Sequence, residues 1–133
     1  MRFRALEALT RADLDLERLT VALPTVDPAI ISVRSASRPF RLFWPKGISA
    51  VAMPWGIYLH PDRLERSAAD VGRLMVHELT HIDQWRRFGA IGWGRSYLGD
   101  YFRGRRSGLT HHEAYRAIGL EREARDVAAR LGG

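Results

Sequence analysis

Cysteine is absent from the 133-residue sequence, which excludes disulfides, thiolate metal sites and cysteine nucleophiles together. Any metal must therefore rest on histidine, aspartate or glutamate. Lysine is nearly absent too: Lys46 is the only one, so the net charge of +6 is carried almost wholly by arginine. Clusters at Arg86-Arg87 and Arg103-Gly104-Arg105-Arg106 admit an anionic partner such as nucleic acid, although the basic residues are dispersed rather than confined to one stripe. Long apolar runs are missing as well. The N-terminus, MRFRALEALTRADLDLERL, carries charges every few residues, unlike a signal peptide or a membrane span, and the expected location is the cytoplasm. The length suits a single domain over residues 1–133, large enough to bury roughly two thirds of its unfolded surface.

Hydrophobic patterning divides that domain into three parts. Residues 1–28 read as an N-terminal helix and linker, with Leu6, Leu9, Leu16 and Leu19 at helical spacing before Pro24 and Pro28. Residues 29–60 hold short apolar runs at 29–33, 40–43, 48–53 and 57–59, broken by proline, glycine and serine, which predicts a small sheet of three or four strands. Residues 61–133 are helical. A cap at Ser67 opens a helix that closes at Gly89 and is apolar almost all round, hence buried. An aromatic helix over 91–102 and a mobile arginine-rich loop over 103–108 follow. Thr110 and Glu113 form a second capping box before a helix that runs to about residue 131, weakened at Gly119. The class is α+β.

Inside the buried helix stand His77, Glu78 and His81. The i, i+4 spacing puts both imidazoles on one face, one turn apart, close enough to bind a single ion at about 2.0–2.1 Å each. Glu78 projects beside them, where a carboxylate can take a proton from a zinc-activated water without itself binding the metal. Burying two imidazoles and a carboxylate costs several kcal/mol unless each is partnered, and a metal partners all three. Zinc needs a third protein ligand. The extended motif HExxHxxGxxH would require glycine at 84 and histidine at 87, where the chain has Gln84 and Arg87, and position 86 is arginine. The candidates left are His111, His112, Glu113, Glu121 and Glu123. Glu113 is explained by the capping box, and Glu121, on the apolar side marked by Ile118, Ala124 and Val127, is favoured over Glu123 and His112.

The stretches SAVAMPWGIYL at 49–59, HELTH at 77–81 and LEREA at 120–124 together resemble the gluzincin metallopeptidases, in particular the minimal soluble forms related to the CAAX-prenyl and heat-shock membrane proteases. The resemblance implies a zincin-like fold in which the C-terminal helix supplies the third ligand, Glu121, and Glu78 is the general base of zinc-dependent peptide-bond hydrolysis. It implies a peptide or unfolded protein as substrate, pairing with the strand that follows the Pro-Gly turn. Three positions depart from the family pattern: Ser49 stands for asparagine, Trp55 for glycine, and Arg125 for the aspartate that buttresses a metal histidine. An oxyanion or substrate donor is expected from Tyr115 or His112, with Tyr97, His111 and Arg116 as further candidates. The alternative to an enzyme is a zincin-fold binding module that uses its arginine surface.

Overall fold

Val33, Ile57 and Leu59 alternate with more exposed neighbours and are almost completely buried, the pattern of strands with one face on a core. The structure, a computed structural model, describes residues 2–44 and 48–132. Strands β1 (Arg2–Arg4), β2 (Ser32–Ser35), β3 (Ala50–Met53) and β4 (Gly56–Leu59) form one mixed sheet in the order β1-β2-β4-β3. The β2–β4 pair is parallel and the other two pairs are antiparallel. With helices making up most of the rest, the class is α+β, as expected.

The N-terminal part differs from the expectation in two ways. Residues 2–4 add a strand to the sheet, and the single helix expected to carry Leu6, Leu9, Leu16 and Leu19 is two helices, α1 (Ala5–Arg11) and α2 (Leu16–Ala22). Asp13 between them takes a positive φ of 55°, and Asp15 then caps α2, accepting from the backbone N–H groups of Glu17 and Arg18 at 3.1 Å. Local side-chain hydrogen bonding thus outcompetes a continuous helix. Residues 40–43 are not a strand: Ser37 caps a helical turn, α3 (Arg38–Arg41), with Pro39 in its first turn, where the fixed φ of proline is preorganised for helix.

Helix α4 (Ala68–Arg106) begins at the Ser67 cap, whose hydroxyl accepts from Asp70 N–H at 3.2 Å. Met75, Val76, Leu79 and Ile82 are fully buried beneath the sheet and α1. At Gly89 the backbone leaves the helix (φ 71°, ψ 167°), a conformation essentially reserved for glycine, so α4 is two helices joined at a kink and the first closes at Gly89, as expected. The aromatic half then continues through the arginine-rich stretch to Arg106, so the expected mobile loop over 103–108 is helix and helix end. Leu109 N–H bonds Gly104 C=O at 3.0 Å and Gly108 N–H bonds Arg105 C=O at 3.1 Å, the paired bonds that terminate a helix on a left-handed glycine, here Gly108 at φ 100°.

The capping box at Thr110 and Glu113 is present in both directions. It opens α5 (His111–Ala117), which is separated from α6 (Gly119–Leu131) by the extended Ile118 (φ −59°, ψ 126°); the expected single helix is two. Among the described residues no helix is long and apolar enough to cross a membrane.

Candidate metal centre

The break at Ile118 turns α6 so that Glu121, in its first turn, meets α4. His77 Nε2 lies 3.2 Å from Glu121 Oε2, and His81 Nε2 lies 3.1 Å from Glu121 Oε1. The two imidazole centroids are 5.0 Å apart. One ligand atom from each of the three residues falls within 4.8 Å of the others. Two ligands held about 2.0–2.1 Å from one ion at the tetrahedral angle are separated by about 3.3 Å; the two His–Glu separations are close to this, and the three residues could hold a metal ion. His81 and Glu121 are buried and His77 is half-buried, unlike the exposed acidic groups that gather without any ligand. The three residues expected from the sequence to share a metal are therefore brought together.

Electrostatics follow from that burial. Burial pushes Glu121 up, but hydrogen bonds from His77 and His81 outweigh it and hold its carboxyl well below the ordinary carboxylate range. His81 is pulled down by burial, yet Glu121 and Glu78 more than offset this and raise it to about 9. Glu78, only 6 % exposed, is raised above the usual glutamate value by burial, with the charges of His81 and His77 opposing. Tyr97 and Tyr115 are both raised by burial and then by the charge of Glu121, which keeps their hydroxyls protonated. Tyr97 O–H donates to Glu121 Oε1 at 3.4 Å.

Gln84 is a residue of the site that the sequence reading missed. It is fully buried, and its amide nitrogen donates to Leu120 C=O at 2.9 Å and to Glu123 Oε1 at 3.2 Å. Both of these only accept, so the amide oxygen must face His81 Nδ1, 2.9 Å away. Nδ1 then carries a proton, so Nε2, which here donates to Glu121, is the nitrogen that can bind a metal once its own proton leaves. An amide three residues after His81, on the helix face that carries His77 and His81, is the signal that could have found it.

The other candidates separate cleanly. Glu123 is engaged by Gln84 and by Arg87 at 2.6 Å, and Glu113 by its capping box. His111 Nδ1 is hydrogen-bonded to Tyr101 Oη at 2.7 Å. Arg125, where the family pattern has an acid, donates to the carbonyl of Arg116. Tyr115 and His112 both line the cleft, of about 1230 Å³, that holds the centre; Arg116 is not among its walls. One wall is β3, not the strand after the Pro54-Trp55-Gly56 turn: β4 is paired on both sides and has no free edge. Trp85 Nε1–H bonds the carbonyl of Ala52 at 3.3 Å and ties β3 to α4 there. No family model, no curated protein and no solved structure matches the chain.

Proposed function

We propose that this chain is a zinc-dependent peptidase of zincin type, with His77, His81 and Glu121 holding the metal and Glu78 acting as general base. The observation that carries the proposal is the convergence of those three ligand atoms beside a buried carboxylate that is not needed as a fourth ligand. When bound, zinc would supply Lewis acidity, lowering the pKa of a coordinated water toward about 7 and stabilising charge on the attacked carbonyl.

The remaining work belongs to the side chains. Glu78, raised by its apolar surroundings, is a stronger base than an exposed glutamate, and it takes a proton from the attacking water and delivers it to the departing amine. Gln84 fixes a proton on His81 Nδ1, so that Nε2 is the nitrogen that gives up its proton and takes the metal. Tyr115 keeps its proton and lines the cleft, so its hydroxyl can donate to the developing oxyanion; His112, exposed on the same rim, contacts substrate further out. The outer edge of β3 borders the cleft, and an extended peptide can add to it by main-chain hydrogen bonds beside the Ala52 carbonyl that Trp85 already engages.

The net charge of +6 favours a second reading, a binding module for nucleic acid or a protein partner, in which the metal serves stability alone. Glu78 argues against it, because a structural site has no use for a buried base. The test is cleavage of an unfolded protein by the zinc-loaded chain, its loss on chelation and its return with zinc. No cleavage across a diverse peptide library would leave the binding reading in its place.

A further inference from the structure

The cleft changes character along the line from His77 to His81. Arg73 stands four residues before His77, on the same face of α4 and one turn away. Arg63, from the short 3-10 helix Pro61–Glu65, and Arg66, just before the Ser67 cap, join it in the cleft wall. Among the described residues none of these three guanidinium groups forms an ion pair or a side-chain hydrogen bond. Apart from Glu78 and Glu121, Asp70 is the only carboxylate among the described residues that line the cleft.

The His81 end is built differently. Trp93 meets the His81 ring edge-on at 6.3 Å and lies stacked between Trp85 and Tyr97, at 4.5 and 4.7 Å, with Leu98 and Tyr101 next along the wall. That stack is a preformed surface for a large apolar group. The metal ligands lie between a cationic end and an aromatic end.

Resting on the peptidase reading, we propose that the cleft selects an extended polypeptide with acidic side chains on one side of the scissile bond and an aromatic or large aliphatic side chain on the other. Unpaired guanidinium groups in a concave wall concentrate their field on an incoming anion, and their planar fork matches a carboxylate. A continuous polyanion fits less well. Nucleic acid threaded along the whole cleft would bring phosphates past Glu78 and Glu121, whereas a peptide places its charge at the arginine end only.

The experiment uses the zinc-loaded full chain carrying Glu78→Gln, so that binding is measured without turnover. Fluorescein-labelled decapeptides with a Glu-Asp block next to Phe, in both orders, are compared by anisotropy with versions in which the block is serine or lysine. The acidic peptide in one order binds about tenfold more tightly than the serine version, the size expected for two or three partly exposed ion pairs. The Arg66→Gln, Arg73→Gln double variant removes that advantage, with zinc content and affinity for the serine peptide unchanged. Equal binding of all versions, or displacement of the acidic peptide by duplex DNA at equal concentration, overturns the proposal. Wild-type cleavage separates the two readings. Cleavage without acidic preference keeps the peptidase and sinks the selectivity, while selective binding with no cleavage of any peptide sinks the peptidase and keeps the selectivity.

Discussion

Gln84 accepts the Nδ1 proton of His81 at 2.9 Å while its amide nitrogen donates to Leu120 C=O, one residue before Glu121. One side chain thereby fixes the tautomer of one ligand and the backbone carrying another. Gln84→Leu keeps similar bulk but leaves His81 Nδ1 and the Leu120 carbonyl unpaired. Zinc affinity is expected to fall by about 10–100-fold, as for other residues that orient a metal histidine, and stability by about 1–3 kcal/mol. Competition with a chromophoric chelator on the folded variant measures the first effect. Wild-type affinity there would reduce Gln84 to packing.

Glu121 and Glu113 are both acidic and both in first turns of helices, yet only Glu121 reaches the histidines. The wild type should bind one zinc per chain. Glu121→Gln and His81→Ala should lose it under mild chelation, whereas Glu113→Gln should retain it and change only helix capping. The Glu113 carboxyl is held below its ordinary value by the Thr110 backbone N–H. Its stabilising effect is thus present above the unfolded value of 4.5 and vanishes as pH falls through the lower folded value. The stability gap between wild type and Glu113→Gln should therefore close in acid. Reversal of the zinc order would move the third ligand to α5.

Stripped of metal by a chelator, the chain should show a pH dependence with a defined sign. His81, raised from 6.5 to about 9, contributes stability that is fully present below pH 6.5 and lost as pH rises through about 9. Glu121, depressed below 4.5, contributes stability that is present above 4.5 and lost as pH falls. The metal-free thermal midpoint should decline between pH 6.5 and 9, and the zinc-loaded one should not follow it. Zinc uptake near pH 7.5 should release a proton from His81, measurable from the dependence of the calorimetric heat on buffer ionisation enthalpy. A flat metal-free midpoint over this range would mean that Glu121 does not hold the proton on His81.

Gly89 joins the metal-binding half of α4 to its aromatic half. Nothing lies within 4 Å of where a Cβ would stand, so the effect of Gly89→Ala is confined to the backbone. Holding alanine at φ 71°, ψ 167° costs about 1–3 kcal/mol, and the second half of the helix must swing to relieve it. Zinc binding should weaken only partly, since both histidines precede the bend although Tyr97 and Asp100 beyond it hold Glu121 and its helix, while turnover should fall further because Trp93, Tyr97 and Tyr101 leave the cleft wall. Equal loss of zinc and turnover would indicate that the bend positions the ligands themselves.

Legibility in the sequence followed the range of the interaction. The HELTH helix, its Ser67 start and the Thr110 capping box were readable because hydrophobic period and capping act within one or two turns. Glu121 was reachable because the acid candidates were few and Glu113 had a local explanation. What escaped depended on distant partners or on backbone choices that several residue types permit. The strand at 2–4 forms by pairing with residues 32–34, the break at Asp13 carries no glycine or proline, the one at Ile118 shows in the sequence only as a weakening at Gly119, and the helix over 103–106 is closed by bonds that only Gly108 hints at. The Gln84 clamp needed α6 in place before its two acceptors existed.

Glu78→Gln tests the chemistry most directly. Glutamine preserves the shape of the side chain but cannot accept a proton from water at neutral pH. Glu78 lies between the histidines in sequence yet is not one of the three converging ligands, so zinc content should equal that of the wild type. Stability should hold or rise slightly, because the substitution removes a carboxyl that burial already disfavours in its charged form. Turnover should drop by at least about a hundredfold, the usual cost of losing a general base. Metal content by elemental analysis, the thermal midpoint and cleavage of an unfolded substrate are read on the same preparation. Loss of zinc in this variant would make Glu78 a ligand or an anchor for the ligands and overturn the proton-transfer role. Full zinc with undiminished cleavage would place the base elsewhere in the cleft, and the buried carboxylate beside His77 and His81 would then need another explanation.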